Sequence, residues 1–499
     1  MPQLVCQTID CANTITAPPS PITLKKAATS IFNTFHTYTS WQSAPSISRA
    51  RPRSFDVDAE SGFVPRRPLT LLSGKFSLWE EALVKAQDTL RLADDDAEDA
   101  ILLRPAGDLW RSELASVSNI TSPHLAMTDL VLQWPVLDVA EIDDLRSLQR
   151  AHKVLAWLVH FYAHSSNSDK STVHIPISIA KPLVEVSLRL ETAPVLTYAD
   201  TVLWNWEFIN PEGPMTMDNI RVENTFSGTD DERSFYLVSL EVELRAVEAL
   251  DIINQFEMLS RSGAESAEIA RCLERLRCVI DDVTTIVSSV RALCNPHVFY
   301  WQVRSWFEGV DAHPGPDDKD WVYEGVPKMK LLDFRNGPSG GQSSAMHALD
   351  VFLNIDHALR EKRFPEPSAQ NKRSDAGFMA RMRQYMPGLH RQYLENLERL
   401  VPSARHFALS NEVVREQYNE TVMAFKKMRD VHMRVASSYI IKISRGIPAI
   451  PSICPASAML NAMASGAKPP GVGPARGTGG NEVVTLLKAG VDATRRAIV

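Results

Sequence analysis

His432 is the residue of this chain whose type and position first suggest chemistry, because it lies in the apolar stripe of residues 411–443. Large and apolar residues recur there at steps of three and four, which is typical of one long helix with a face turned to a core. Asn411 is a suitable N-cap, and Gly446 followed by Pro448 predicts the helix end. An imidazole on such a face is usually a buried structural histidine, but neutral imidazole is also a common metal ligand.

A metal at this position would be haem iron rather than zinc. A zinc site needs several His or Cys ligands at short spacing, and none accompany His432 in the sequence. Haem iron needs only one proximal histidine. Periodicity alone therefore leaves two interpretations open: a hydrogen-bonded core histidine, which it favours, and a haem ligand.

The composition indicates a soluble, intracellular protein. Its 499 residues are 44% hydrophobic and 23% charged, and the net charge of −7 argues against a nucleic-acid partner, which would favour a basic surface. The six cysteines have no paired spacing, so we expect reduced thiols. The most apolar run, 154–163, is too short for a membrane span, and we expect neither a membrane anchor nor a secretory signal.

From residue 55 onward the pattern is globular and mainly helical. The segment 172–190 alternates like a strand but contains Pro176 and Pro182, so strand and helix both stay open. Residues 337–341 lack the Lys-Ser/Thr of a phosphate-binding loop. Apolar periodicity and end signals predict further helices at 77–92, 139–164, 235–260, 267–293, 297–308, 343–361, 377–400 and 482–498.

These patterns predict an all-α protein in four parts. Residues 1–54 are basic, rich in Ser and Thr and poor in acids, which predicts a disordered extension, with a mitochondrial transit peptide as the alternative. A smaller, mainly helical N-terminal domain is predicted at 55–225 and a large helical domain at 226–445. Residues 446–499 are predicted to form a mobile tail with a short terminal helix.

Several short strings of the chain are weak signals alone but occur in a distinctive order. They are Leu-Thr-Tyr-Ala-Asp at 196–200, Ser-Phe-Tyr-Leu-Val-Ser at 234–239, Asn-Pro-His-Val-Phe-Tyr-Trp-Gln-Val-Arg at 295–304, Gly-Gly-Gln-Ser-Ser at 340–344, Arg-Gln-Tyr-Met-Pro at 383–387, Met-Arg-Asp-Val-His at 428–432 and Gly-Thr-Gly-Gly at 477–480. With this order and spacing the chain resembles indoleamine 2,3-dioxygenase, most of all its fungal members, over about residues 55–443 with a further match in the tail.

The resemblance implies that the large domain binds haem b, one group per chain, and that the small domain covers the distal side. It implies an enzyme that adds both atoms of O₂ across the indole C2–C3 bond of L-tryptophan, giving N-formylkynurenine, the first step of the kynurenine pathway towards NAD. An electron donor would keep the iron ferrous. We expect a cytoplasmic monomer, with mitochondrial localisation as the alternative.

The resemblance also assigns the proximal side of the haem. The family's iron ligand falls on His432, its propionate-binding basic residue on Arg429, and the acid that pairs with that residue on Asp350. A propionate needs a fixed cation, and a carboxylate behind the cation orients its guanidinium. From sequence alone, an ordinary interhelical ion pair between Arg429 and Asp350 is the alternative, and the favoured one.

On the distal side the resemblance places a substrate pocket at Phe235, Ser239, Phe299, Tyr300 and Arg304. Phe235 and Phe299 would hold the indole by stacking and apolar contact. Arg304 would clamp the carboxylate of the amino acid, and Ser239 would lie near the indole nitrogen. We assign the catalytic roles to Phe299, Arg304 and Ser239. Without the resemblance, the two Phe residues would be core residues and Arg304 a surface cation stacked on aromatic rings.

Two loops complete the predicted site. Ser339 would approach the substrate ammonium and a haem propionate, and Thr478 would belong to a mobile loop that closes over the site. The chain departs from relatives at Pro338, where Gly is frequent, at Tyr300, which is Phe in animal members, and at Thr201, which is Cys or Ser.

Two other functions remain open at this point. One is a haem and O₂-binding protein of the same fold without tryptophan turnover, against which the presence of Phe299 and Arg304 argues. The other is a helical interaction protein without haem, in which His432 would be a core residue.

Overall fold

The computed structural model describes residues 55–116, 134–166, 172–310, 320–327, 334, 336–357, 377–444, 477–478 and 482–499. The predicted extension and most of the predicted tail lie outside these residues.

Helices dominate, which confirms the all-α class. The longer ones are α1 (Ser77–Thr89), α2 (Glu98–Ala115), α3 (Leu145–His164), α4 (Ile177–Leu190), α5 (Asp230–Arg245), α6 (Val247–Ser262), α7 (Ser266–Leu293), α8 (Ser344–Phe352), α9 (Phe378–Arg383), α10 (Gly388–Glu398), α11 (Ala404–Ser410), α12 (Glu412–Ala436) and α13 (Val483–Arg496). Within these ranges no helix combines the length and the apolar character that crossing a bilayer requires.

The ambiguous segment 172–190 contains both of its predicted structures. Strand β1 (Thr172–Ile175) ends at Pro176, whose extended backbone then serves as the N-cap of α4. β1 pairs in parallel with β4 (Asp320–Tyr323), and β2 (Trp206–Phe208) pairs antiparallel with β3 (Ile220–Val222). The two ribbons are small additions to a helical fold.

α3 is the centre of the first of two large apolar clusters. It begins at Leu145 because Asp144 caps it, accepting a hydrogen bond from the backbone N–H of Ser147 at 2.9 Å. Most of its residues are buried, and it packs mainly against α4 and α1. The second cluster joins α6, α7, α8, α10 and α12. The division at residue 225 stays a prediction.

α3 also carries two buried cations, Arg150 and Lys153. Arg150 donates two hydrogen bonds to Glu80 of α1, at 2.8 and 2.6 Å, and one to Glu223 at 2.5 Å. Lys153 donates to the other carboxylate oxygen of Glu223, also at 2.5 Å. Burial by itself raises the pKa of Glu223, but the two cations outweigh burial and lower it, so the carboxylate is ionised.

Glu223→Gln is expected to lower the free energy of unfolding by about 3 kcal/mol, because two cations then stay buried with one negative charge fewer. A guanidinium chloride titration measures the loss. Glu207→Gln is the matched control, since Glu207 pairs with the exposed Arg221 across β2 and β3 and should contribute less than about 1 kcal/mol. Equal losses in the two variants would contradict the assigned network.

Two predicted helices differ from the structure in ways that matter for the site. The predicted helix 235–260 is two helices, α5 and α6, which meet at Ala246. The predicted helix 297–308 is a composite of a turn at Pro296–Val298, a π-helical turn at Phe299–Val303 and a 3₁₀ turn at Arg304–Phe307. A π turn widens the helix and a 3₁₀ turn tightens it, so the side chains leave the pure 3.6-residue pattern.

α12 confirms the long amphipathic helix around His432. Asn411 caps it, accepting from the backbone N–H of Val414 at 3.2 Å, and the helix runs into a π turn at Ser437–Ile441. The predicted apolar face is buried, mainly against α7, and α13 packs beside it. α8 is shorter than predicted, since it ends at Phe352 before Asn354 adopts a positive φ of 52°.

Candidate active site

His432 differs from the sequence prediction in its exposure. The prediction of a buried side chain was wrong, because His432 is exposed. Desolvation nevertheless lowers its pKa, with a further contribution from the positive charge of Arg429. The imidazole is therefore accessible to solvent but surrounded by protein atoms, which places it in a recess of the protein surface. The lowered pKa keeps the imidazole neutral, which is the form that ligates a metal.

The donor set around His432 fits haem better than zinc. Among the described residues, no group of three or more His, Cys, Asp or Glu side chains converges as a metal site. A single neutral imidazole on a rigid helix is sufficient for haem iron, whereas zinc requires further protein ligands.

Arg429 lies one helical turn before His432 and is fixed on several sides. Its Nη2 is 2.5 Å from Oδ1 of Asp350 on α8, and its guanidinium lies 4.5 Å from the ring centroid of Phe425. Its Nη1 donates to the hydroxyl of Thr494 on α13. The guanidinium is therefore held by three elements in a set orientation next to the recess.

Asp350 is the carboxylate behind this cation. Burial raises its pKa, but the charges of Arg429 and His357 outweigh burial and hold the pKa well below its usual range. His357 Nε2 is 3.1 Å from the second carboxylate oxygen of Asp350. The structure thus brings Arg429 and Asp350 together as predicted, although the contact alone fits the ion-pair interpretation as well.

The predicted aromatic residues of the substrate pocket are in contact. The ring centroids of Phe235 on α5 and Phe299 in the π turn are 4.6 Å apart. Phe299 also meets Tyr439 edge-on at 5.7 Å, and Tyr439 belongs to the π turn that extends α12 beyond His432. Ser239, one turn after Phe235, donates its hydroxyl hydrogen to the Phe235 carbonyl at 3.0 Å. These contacts join the predicted pocket to the helix that carries His432.

Arg304 is buried, which contradicts the interpretation of a surface cation. Its guanidinium carbon lies 5.4 Å from the ring centroid of Tyr300, which stands four residues earlier in the chain. Its Nη1 is 2.5 Å from Oε1 of Glu308. Sequence reasoning missed Glu308, although the same four-residue spacing would have indicated it.

Two histidines of α3 fix the backbone around Arg304. His160 donates to the Trp306 carbonyl at 2.8 Å, and His164 contacts the Glu308 carbonyl through Nε2 at 2.9 Å. Desolvation, with help from the charge of His164, lowers the pKa of His160 to about 3, so its ring stays neutral. The backbone of the 3₁₀ turn that carries Arg304 is therefore anchored to the first apolar cluster.

The loop of Ser339 and the described part of the tail lie against each other. Thr478 donates its hydroxyl hydrogen to the Pro338 carbonyl at 2.8 Å and accepts from the Gly337 N–H through its own carbonyl at 3.3 Å. A Cβ on Gly337 would lie 1.8 Å from the Phe307 carbonyl oxygen, so only glycine fits this contact. Ser339 accepts from the Gly341 N–H at 3.2 Å. The loop thus contacts both Thr478 and the 3₁₀ turn of Arg304.

Thr201 does not present its hydroxyl to the pocket. The side chain is buried in the π turn Ala199–Leu203, and its hydroxyl lies 3.2 Å from the carbonyl oxygen of Thr197. The hydroxyl of Thr201 is therefore engaged in a local backbone contact.

Glu243 is a second acid that sequence reasoning missed. It lies one turn beyond Ser239 on α5, is buried, and accepts hydrogen bonds from Tyr198 at 3.1 Å and Ser343 at 2.5 Å. Desolvation raises its pKa to about 7, against the opposing effect of these hydrogen bonds. The four-residue spacing of Phe235, Ser239 and Glu243 places all three on one face of the helix. This spacing was the sequence signal that could have identified Glu243.

The raised pKa of Glu243 predicts a pH-dependent stability. The carboxyl group is protonated in the folded state below about pH 7, so its contribution is full at acid pH and is lost as pH rises through 7. Glu243→Gln stays neutral, and should reduce the fall in unfolding free energy between pH 5.5 and 8 by about 2 kcal/mol. Denaturant titrations at the two pH values measure this difference. The exposed Glu212→Gln is the control, and an unchanged pH profile in Glu243→Gln would contradict the prediction.

Comparison with known proteins identifies the family of the chain. Residues 51–497 match the family model for indoleamine 2,3-dioxygenase. Similar proteins include indoleamine 2,3-dioxygenase 1 of Rattus norvegicus, 31% identical over 74% of this chain and 84% of that protein, and indoleamine 2,3-dioxygenase of Saccharomyces cerevisiae, 28% identical over 66% and 74%. A 6-hydroxytryptophan 2,3-dioxygenase of Fusarium equiseti is 28% identical over 68% and 78%. The chain therefore belongs to the indoleamine 2,3-dioxygenase family and is a haem-dependent dioxygenase of tryptophan catabolism.

Proposed function

We propose that the recess at His432 binds one haem b per chain and that the pocket of Phe235, Phe299 and Arg304 binds L-tryptophan for cleavage to N-formylkynurenine. The observation that carries the proposal is an accessible imidazole one turn from a guanidinium already oriented by a buried carboxylate. When bound, haem supplies the activation of O₂, which protein side chains do not provide.

On the proximal side, His432 would ligate the iron and Arg429 would pair with a propionate. Asp350 orients Arg429, and the contact of Arg429 with Thr494 restricts it further, so little conformational freedom is lost when a propionate arrives. An ionised Asp350 also balances the charge of Arg429 in the absence of the propionate.

On the distal side, the chain contributes position. Phe235 and Phe299 hold the indole, Arg304 clamps the carboxylate, and Tyr300 packs against the guanidinium. Ser239 lies on the same face of α5 as Phe235, with its hydroxyl hydrogen committed to a backbone carbonyl. It therefore offers its oxygen as an acceptor to the indole N–H, which orients the ring without removing its proton.

Ser339 and Thr478 close the pocket. Ser339 faces the substrate ammonium and a propionate, and Thr478 holds the preceding Pro338 in place by its hydrogen bond. Tryptophan and O₂ are the substrates. An electron donor that keeps the iron ferrous, a monomeric state and a cytoplasmic location complete the proposal, as does a small domain at 55–225 that covers the distal side.

The test is reaction of the purified, haem-reconstituted protein with L-tryptophan under aerobic, reducing conditions. We expect a Soret band and formation of N-formylkynurenine. Protein that shows no Soret band after reconstitution would overturn the haem site. Haem-loaded protein that binds O₂ but leaves L-tryptophan unchanged would instead support the haem and O₂-binding alternative. Parallel reactions with 6-hydroxytryptophan establish whether a hydroxyl group on the indole ring changes the rate of turnover.

A further inference from the structure

Glu308 lies beside the proposed carboxylate clamp and has no role in the function described so far. Its Oε1 is 2.5 Å from Arg304 Nη1, and the two side chains are only 14% and 8% exposed. Charges with this little solvent around them interact strongly at short range. A substrate carboxylate on Arg304 would therefore also be within range of the Glu308 carboxylate.

The position of Glu308 is fixed by its surroundings. His164 contacts its backbone carbonyl, and His160 holds the carbonyl of Trp306 two residues earlier. The ring of Tyr300 packs against the guanidinium of Arg304. The backbone that carries Glu308 is thus anchored to α3, and its carboxylate contacts Arg304, so a ligand of Arg304 has to accommodate the carboxylate.

The chemistry of the pair indicates which ligand it accommodates. Arg304 and Glu308 together carry no net charge but present a fixed dipole of one guanidinium and one carboxylate. An α-amino acid carries the complementary dipole, because its ammonium and carboxylate are attached to one carbon. An acid without the ammonium is repelled by Glu308, and an amine without the carboxylate leaves Arg304 without its ligand.

We propose that Glu308 is a specificity-determining residue that, with Arg304, selects zwitterionic indole amino acids: Arg304 binds the carboxylate, and Glu308 adds a carboxylate contact to the ammonium that Ser339 also approaches. This inference rests on the proposed role of Arg304 as the substrate clamp. It predicts discrimination against both indole amines and indole carboxylic acids, whereas a clamp made of arginine alone would discriminate only against amines.

The experiment compares wild-type protein, Glu308→Gln and the control Glu185→Gln as haem-loaded proteins. Glu185 is half-buried on α4, where it pairs with Lys181, so its variant makes the same change of charge in another element. Dissociation constants for L-tryptophan, tryptamine and indole-3-propionate are obtained from ligand-induced changes in the ferric haem spectrum. Values of kcat and KM for L-tryptophan are measured in parallel, and thermal unfolding checks that each variant is folded.

For Glu308→Gln we expect binding of L-tryptophan and tryptamine to weaken by at least about tenfold, and binding of indole-3-propionate to tighten by a similar factor. The change for L-tryptophan should appear mainly in KM. Glu185→Gln should resemble the wild type throughout.

Different failures point to different errors. If Glu308→Gln weakens the binding of L-tryptophan and of indole-3-propionate equally and leaves the binding of tryptamine unchanged, Glu308 only orients Arg304. The inference is then wrong. A variant with unchanged constants for all three ligands also overturns it. Haem-loaded wild-type protein that binds L-tryptophan without forming N-formylkynurenine counts against the proposed function alone, because the binding constants do not depend on turnover. Protein that binds no haem overturns both.

Discussion

Replacement of His432 by Ala is expected to abolish stable haem binding and, with it, all tryptophan turnover. The described part of the chain offers no cluster of other ligands that could take over the iron. His432 stands on a helix whose other face is buried against α7, so removing an exposed imidazole should leave that packing intact. Haem titration followed by the Soret band measures binding, and N-formylkynurenine formation measures turnover.

The control for this variant is His174→Ala, which removes an exposed imidazole from β1. It should bind haem and turn over L-tryptophan like the wild type. Far-ultraviolet circular dichroism should show unchanged helix content in both variants, and added imidazole should partly restore haem binding to His432→Ala. Wild-type haem affinity and turnover in His432→Ala would show that another residue ligates the iron.

Replacement of Arg304 by Ala is expected to leave haem bound but to lower kcat/KM for L-tryptophan by roughly a hundredfold or more. Losing one partner of a buried, charge-assisted contact typically costs about 2–5 kcal/mol, which corresponds to a factor in this range. Arg304→Lys keeps the charge without the two-pronged donor geometry and should have an intermediate effect. Steady-state kinetics measure kcat/KM for L-tryptophan, and the Soret spectrum measures haem binding.

Arg304→Ala also leaves Glu308 buried without this cation, which can disturb folding on its own account. The double variant Arg304→Met with Glu308→Gln removes both charges and serves as the second measurement. It should recover thermal stability but not turnover. Arg221→Ala, at the exposed surface of β3, is the control for loss of an arginine. Turnover at wild-type efficiency in Arg304→Ala would refute the clamp.

The helices were predictable where burial follows a regular period. α12 is the clearest example, since its buried residues repeat at steps of three and four from Val414 to Val435, and Asn411 gives an unambiguous start. The break at Ala246 was not predictable from periodicity, because apolar residues continue through it on both sides. Pro176 carried a correct signal for a boundary, but only the structure shows a strand before it and a helix after it.

The site was predictable in its residues but less so in their environments. The exposure of His432 was missed because periodicity describes which face a residue shares and not whether a neighbouring helix covers that face. Without the family resemblance, Arg304 would be interpreted as a surface cation for the same reason, since its burial depends on the π and 3₁₀ turns that sequence spacing does not reveal. Glu243 and Glu308 each stand four residues from a predicted site residue, but this spacing indicates a shared helix face and does not mark an acid as buried.

The contacts of Arg429 with Thr494 and of Pro338 with Thr478 have a consequence for biosynthesis. Thr478 and Thr494 follow every other residue assigned to the site along the chain, so Asp350 contacts Arg429 from the preceding part of the chain and Thr494 from the following part. Because chains fold as they emerge from the ribosome, the proximal helix can pack against α7 before α13 has been synthesised. We therefore expect stable cofactor binding only after α13 has been added to the chain.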